Sequence, residues 1–229
     1  MYRDGIKSGI PVALGYFAVS FTFGMACVKN GLSIWHAALI SLTNVTSAGQ
    51  FSAIAIITCG GSYVELALTQ LIINLRYCLM SFSLAQKLEK STPSWHRYTM
   101  AYSVTDEIFA LDASLSGKLT PAYHYGITSI AVPGWVLGTI AGAVLGSLLP
   151  AFIISALGIA IYGMFLAIII PPTKKNPAVL AVVLSAMGLS FLFSVTPILK
   201  HISSGFVIII ITVLVAGMAA KFRPISPEE

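Results

Sequence analysis

Long apolar runs separated by short polar turns dominate this chain. Six runs reach or approach the roughly 20 residues that a helix needs to cross a bilayer. They are Gly9–Val28, Tyr63–Leu84, Tyr125–Leu148, Phe152–Ile170, Ala178–Thr196 and Gly205–Ala220. Pro171-Pro172 ends the fourth, because proline cannot continue a helix without losing a hydrogen bond. Two further segments are apolar but interrupted. Ser33–Cys59 carries the polar stretch Thr43–Gln50 in its middle, and Gly60-Gly61-Ser62 follows it. Tyr98–Leu115 keeps helical spacing, with Met100, Val104, Ile108, Leu111 and Leu115 on one face. Thr99, Ser103 and Asp106 line its opposite face, with Glu107 at the boundary. Val132-Pro133-Gly134-Trp135 within Tyr125–Leu148 reads as a kink in a spanning helix, with a half-helix break at a substrate site as the alternative. No internal repeat and no low-complexity linker divides the chain, which predicts one membrane domain over residues 1–229. The expected fold is an all-α polytopic membrane protein with six full spans and two broken or re-entrant helical segments; eight full spans is the alternative.

Composition agrees with the pattern. Of 229 residues, 57% are hydrophobic and 9% charged, against about a quarter charged in soluble domains. The net charge of +5 falls between apolar runs and forms no basic stripe, so nucleic acid is not an expected partner. Cys27, Cys59 and Cys78 lie in apolar surroundings without disulfide or metal spacing, and read as packing residues. Trp35 and Trp95 suit a membrane interface. The first apolar run is too long for a typical signal h-region and lacks an A-x-A site, so no cleaved leader is expected.

The charges also orient the spans. If both interrupted segments crossed fully, Lys and Arg would divide seven to five across the membrane, with a cytoplasmic N-terminus. If both enter and leave on one side, Lys87, Lys90 and Arg97 join the cytoplasmic set and the division becomes ten to two. The positive-inside rule favours the second arrangement, with both termini cytoplasmic.

Polar groups in apolar segments mark the candidate chemistry, because unsatisfied polar backbone survives at membrane depth only inside protein or beside a water-filled cavity. Thr43–Gln50 holds Asn44, Thr46, Ser47, Gly49 and Gln50. Two half-helices meeting there would present free N–H groups and free carbonyls, which suit the carboxylate and ammonium of a zwitterion. On Tyr63–Leu84, Gln70, Asn74 and Ser81 share one face, while Glu65, Thr69, Arg76 and Ser83 share another. A helix polar on two faces is expected inside the bundle. Arg76 near its centre costs at least about 2.5–3.5 kcal/mol on insertion scales and needs an acidic, carbonyl or substrate partner. Asp106 and Glu107, in an acidic segment that suits a cavity or Arg76 better than anionic lipid, are candidates for carrying a proton. His36, His96, His124 and His201 lie near predicted span ends without metal-ligand spacing, and are expected at interfaces or in loops. No nucleophile motif supports an enzyme, and no cofactor is implied.

Several passages in this order resemble the AzlC family, the larger subunit of bacterial branched-chain amino-acid exporters. They are Gly9-Ile10-Pro11, Gly15-Tyr16, Phe23-Gly24, Gly31-Leu32-Ser33, Ser47-Ala48-Gly49-Gln50-Phe51, Asn74-Leu75-Arg76 with Leu79-Met80, and Thr105-Asp106-Glu107 with Phe109. The likeness runs through most of residues 5–223 and is dense to about residue 110. It implies one transporter domain in the bacterial inner membrane that exports small hydrophobic amino acids such as leucine, isoleucine and valine. It also implies a small AzlD-type membrane protein as partner. With no Walker motif, secondary transport coupled to protons is the expected mode. The stretch Thr43-Asn44-Val45-Thr46 is more polar than the family pattern. The alternatives are a small-ion channel filtered by Thr43–Gln50, and a membrane scaffold that transports nothing.

Overall fold

A computed structural model describes residues 1–150, 152, 153, 159, 166, 169, 170, 173, 174, 176–197 and 199–222. Among these the chain is helical, and its extended pairing is a single bridge between Leu88 and Leu119. The helices are α1 (Tyr2–Lys29), α2 (Ile34–Thr43), α3 (Ser47–Thr58), α4 (Tyr63–Lys87), α5 (Trp95–Ala101), α6 (Asp106–Ser114), α7 (Pro121–Leu145), α8 (Pro177–Val195) and α9 (Ser204–Phe222). Five of them, α1, α4, α7, α8 and α9, are long and apolar enough to span a membrane. The predicted span Phe152–Ile170 lies largely outside the described residues. Both interrupted segments are broken. Ser33–Cys59 splits into α2 and α3 around Asn44–Thr46, and Tyr98–Leu115 splits into α5 and α6 around Tyr102–Thr105. At 1.5 Å per residue α2 and α3 are each about half a bilayer long. Pro133 lies inside a continuous α7.

The described residues fall into two compact units. The first, Met1–Phe51 with Ile73–Ala160, is built on the pairing of α1 and α7. Glycines bring these two helices to backbone contact. A Cβ on Gly5 would strike the Tyr123 carbonyl oxygen, one on Gly24 that of Thr139, and one on Gly142 that of Phe21. Small residues permit this approach, and close van der Waals packing holds helices together in lipid. The facing residues advance together, Gly5 with Gly126, Ala13 with Gly134, Phe17 with Gly138 and Phe21 with Gly142, so α1 and α7 run parallel. Parallel α1 and α7 require an odd number of crossings between them. Since α4 is one, α2–α3 and α5–α6 either both cross or both return.

The second unit, Ser52–Ile72 with Ile161–Glu229, includes α8 and α9. Asn176 caps α8 by accepting from Ala178 N–H, with Pro177 at the first helical position where its missing N–H costs nothing. Glu65 is buried in this unit and accepts from the Ser203 hydroxyl.

Two expectations change. Helix α4 is not enclosed in this chain: Leu68, Leu71, Leu75, Leu79 and Phe82 form an exposed stripe, and among its polar residues only Glu65 and Thr69 are buried. The stripe has helical spacing and offers lipid or a partner an apolar face. Only Cys27 is a buried packing cysteine, since Cys59 and Cys78 are exposed. Trp35 and Trp95 are exposed, whereas Trp135 is buried in the first unit.

Candidate functional site

The break between α2 and α3 follows from local capping. Asn44 ends α2 in extended backbone, its N–H bonding to Ile40 O. Thr46 precedes α3 and accepts weakly from Gly49 N–H at 3.4 Å, as an N-cap residue does. Ser47 begins α3, so Gly49 and Gln50 lie within its first turn rather than in the break. The Thr46 hydroxyl also donates to Asn74 Oδ1 at 2.9 Å, tying the start of α3 to α4. The Asn44 side chain makes no hydrogen bond to a described residue and is half-buried.

Gln50 is wholly enclosed. Its amide donates to Ser41 Oγ at 2.9 Å and its carbonyl oxygen accepts from the Trp135 indole N–H at 3.1 Å. The indole can only donate, so the orientation of the amide is determined. Thr139 donates to the Trp135 carbonyl, which leaves the Ser41 hydroxyl to donate to Thr139 at 2.7 Å. The bonds therefore run in one direction around α2, α3 and α7. Trp135 meets the Tyr16 ring edge-on at 5.3 Å, linking the circuit to α1.

The second break is capped by Thr105, whose hydroxyl accepts from Ile108 N–H. This puts Asp106 and Glu107 in the first turn of α6, where the helix dipole favours negative charge. Asp106 pairs with Arg76 at 2.9 Å. The pair is incompletely covered, at 39% exposure for Arg76 and 20% for Asp106, so other groups can reach it. Arg76 also bonds Tyr77 OH at 3.1 Å, while its Nε is buried without a partner among the described residues. Glu107 accepts from Tyr16 OH at 2.9 Å. With its single proton spent there, Tyr16 accepts from Thr105.

The structure thus brings Arg76 to Asp106, Asn74 to Thr46, Glu107 to Tyr16, and Gln50 to Trp135. Asn44 lies in the break and Ser47 begins α3 just after it. The continuous polar face expected through Thr99, Ser103 and Asp106 does not exist. The chain turns between α5 and α6, and Ser103 points to His124 while Asp106 points to Arg76. His124 is a correction as well: it is fully buried and bonds Asp112 at 2.6 Å and Ser103 at 3.0 Å. Its position near a span end concealed this, because both partners arrive from preceding segments. His36 is an exposed capping residue beside Ser33, and His201 is exposed. Tyr16, Thr105, Trp135, Ser41 and Thr139 were not singled out as site residues. A hydroxyl or indole N–H within an apolar span was the available signal, since such groups need partners in lipid. No group of three metal-ligating side chains occurs among the described residues.

The chain is 31% identical over 193 residues to a membrane protein of Archaeoglobus fulgidus, covering 83% of this chain and 84% of the relative. It is 28% identical over 208 residues to the inner membrane protein YgaZ of Escherichia coli, covering 85% and 83% respectively. A Helicobacter pylori membrane protein is 27% identical over 149 residues, 64% of each chain. No solved structure matches. The family model described as AzlC protein matches residues 11–149, which take in both helix breaks and every side chain from Tyr16 to Thr139 described above. With the relatives in agreement over most of its length, this membrane protein belongs to the AzlC family.

Proposed function

We propose that the chain is the larger subunit of a proton-coupled secondary transporter that exports branched-chain or similar hydrophobic amino acids. In this reading residues 1–229 act as one transporter domain in the bacterial inner membrane, with both termini cytoplasmic. The relative named as an inner membrane protein and the ten-to-two charge division support that placement.

The observation that carries the reading is the accessible Arg76–Asp106 pair, joined by the same helix α4 to the α2–α3 break through Asn74 and Thr46. A zwitterion can replace each charge's partner by its own. Its carboxylate binds Arg76 and the N–H group at Ser47, while its ammonium binds Asp106 and the amide oxygen of Asn44. The polar cost of opening the pair is offset by charges of the same sign and geometry, so binding can be strong without leaving an ion bare. Thr46, Asn74 and Gln50 hold the two half-helices in register. Asp106 or Glu107 takes the coupled proton, and neutralising Asp106 frees Arg76 and resets the pair. A small AzlD-type membrane protein covers the exposed stripe of α4. The chemistry is binding and release, without a covalent step, so the chain is not an enzyme.

The test is efflux from cells preloaded with dipeptides of leucine, isoleucine, valine or a polar amino acid, with the chain expressed with and without the small partner. Selective efflux of the branched-chain set when both are present supports the reading. Equal efflux of all of them, or of none, contradicts it.

A further inference from the structure

We propose that His124, with Asp112 and Ser103, forms a second proton-binding site that loads from the end of α7 nearest its N-terminus; the assignment rests on the proton-coupled reading above. The three residues come from three places: Ser103 from the α5–α6 turn, Asp112 from α6 and His124 from the first turns of α7. His124 and Asp112 are fully buried, and Ser103 is 3% exposed. Imidazole Nδ1 lies 2.6 Å from Asp112 Oδ2 and Nε2 lies 3.0 Å from Ser103 Oγ. The other Asp112 oxygen is buried with no partner among the described residues.

The Ser103 hydroxyl has two acceptors within reach, His124 Nε2 at 3.0 Å and the Met100 carbonyl at 3.3 Å. That choice lets the site satisfy either charge state. With neutral imidazole, Nδ1–H donates to Asp112 and Ser103 donates to Nε2. With imidazolium, Nε2–H donates to Ser103 and the hydroxyl turns to Met100 O. Buried polar sites are costly when one state leaves a group unpaired, and here both imidazole nitrogens and the serine hydroxyl keep partners in either state. A charged imidazole also faces a carboxylate instead of apolar surroundings.

Access is provided on the Ser103 side. Ser103 lines a groove of about 410 Å³ with Thr99, Tyr102, Tyr125 and Thr128, and Thr99 and Tyr102 are exposed. A proton from water in the groove adds to Ser103 Oγ as the hydroxyl's own proton passes to Nε2. The serine ends unchanged, and the positive charge ends on the imidazole opposite Asp112. The titratable groups about His124 are few. Helix α6 brings Asp112, α7 brings Tyr125 with its ring 5.9 Å away, and α5 brings His96, bonded to Tyr125 OH. Helix α4 brings Lys87, which bonds the Ala113 and Leu115 carbonyls just beyond Asp112. Helix α1 presents Gly5 and Ser8 to this end of α7, with Asp4 and Lys7 beside them in sequence. The same α5–α6 turn carries Thr105, which reaches Tyr16 and Glu107, so this site and the acidic pair share one tether.

The test has two arms on the full chain. In the first, nitrogen NMR of histidine-labelled protein follows the His124 resonances from pH 8 down to about pH 5, the range in which imidazoles titrate. They are assigned by their loss in His124→Gln. The expected result is reversible protonation at Nε2 in the parent, and its loss from this range in Asp112→Asn. A single unchanging tautomer over the range overturns the proposal. In the second arm, the parent, His124→Gln and Ser103→Ala are reconstituted with the small partner. Ser103→Ala keeps the His124–Asp112 pair and guards against a folding defect in the first variant. Both variants are expected to lose accumulation driven by an imposed pH gradient while retaining exchange of labelled for unlabelled leucine. Accumulation equal to the parent's in both overturns the proposal. A parent that exchanges leucine but ignores the pH gradient refutes the proton-coupled reading instead, and the NMR arm then decides the site alone.

Discussion

Arg76 and Asp106 form an ion pair whose worth depends on each having the other. Removing one leaves the second charge with no partner in the membrane, whereas removing both removes the problem. Arg76→Leu and Asp106→Asn are each expected to lower thermal stability in detergent, and the double variant to recover part of the loss. A coupling of about 1–2 kcal/mol in that cycle is the expected size for contacting residues that are partly exposed. Independent, additive losses would show that the two do not support one another. Gln50 and Asn44 should behave oppositely although both are polar residues of one stretch. Gln50→Ala orphans the Trp135 N–H and a Ser41 acceptor in a closed circuit, at a cost of about 1–3 kcal/mol. Asn44→Ala removes a side chain that bonds no described residue, so stability should hold while ligand-induced stabilisation by leucine falls. Thermal unfolding of both, with and without leucine, checks this.

Among the elements, the long helices were legible because their apolar runs had the required length, and α1, α4, α7, α8 and α9 all fall on predicted spans. The α2–α3 break was legible because five of the eight side chains in Thr43–Gln50 carry a hydroxyl or amide. The α5–α6 break was harder to place. Met100, Val104 and Ile108 keep a spacing of four through it, with no Gly or Pro, and all three are buried although the chain turns between them. Periodicity reports burial, and it cannot tell a helix face from two helix ends packed on one neighbour. The Asp112–His124 link was illegible for a related reason, since it forms only when α6 and α7 pack. Glycines offer a sharper test of the elements. Gly142→Ala and Gly24→Ala drive a Cβ into the backbone of the opposite helix, with an expected cost of about 1–3 kcal/mol from overpacking. Gly188→Ala and Gly217→Ala meet nothing within 4 Å and gain up to about 1 kcal/mol of helix propensity. Equal effects at all four positions would refute the close parallel pairing of α1 and α7.

For the whole molecule, the parallel pair restricts topology to arrangements in which α2–α3 and α5–α6 behave alike. Single-cysteine labelling in a background without the native cysteines is expected to find Asn30 and Ser62 on one face, and Ser91 and Gly117 on the other, if both segments return. If both cross, each pair splits. One pair split and the other not would contradict the packing of α1 on α7. Function at this scale rests on whether the Arg76–Asp106 pair, set between two broken segments, is where an amino acid binds and from which it is released across the membrane. The most direct measurement is counterflow of labelled leucine into liposomes preloaded with unlabelled leucine, containing the chain and the proposed small AzlD-type protein, for the parent, Arg76→Lys and Arg76→Leu. The account predicts saturable counterflow in the parent, a weakened response in Arg76→Lys, where the charge remains but the planar fork is lost, and none in Arg76→Leu. Undiminished counterflow in Arg76→Leu, in protein that inserts and folds as the parent does, would contradict it.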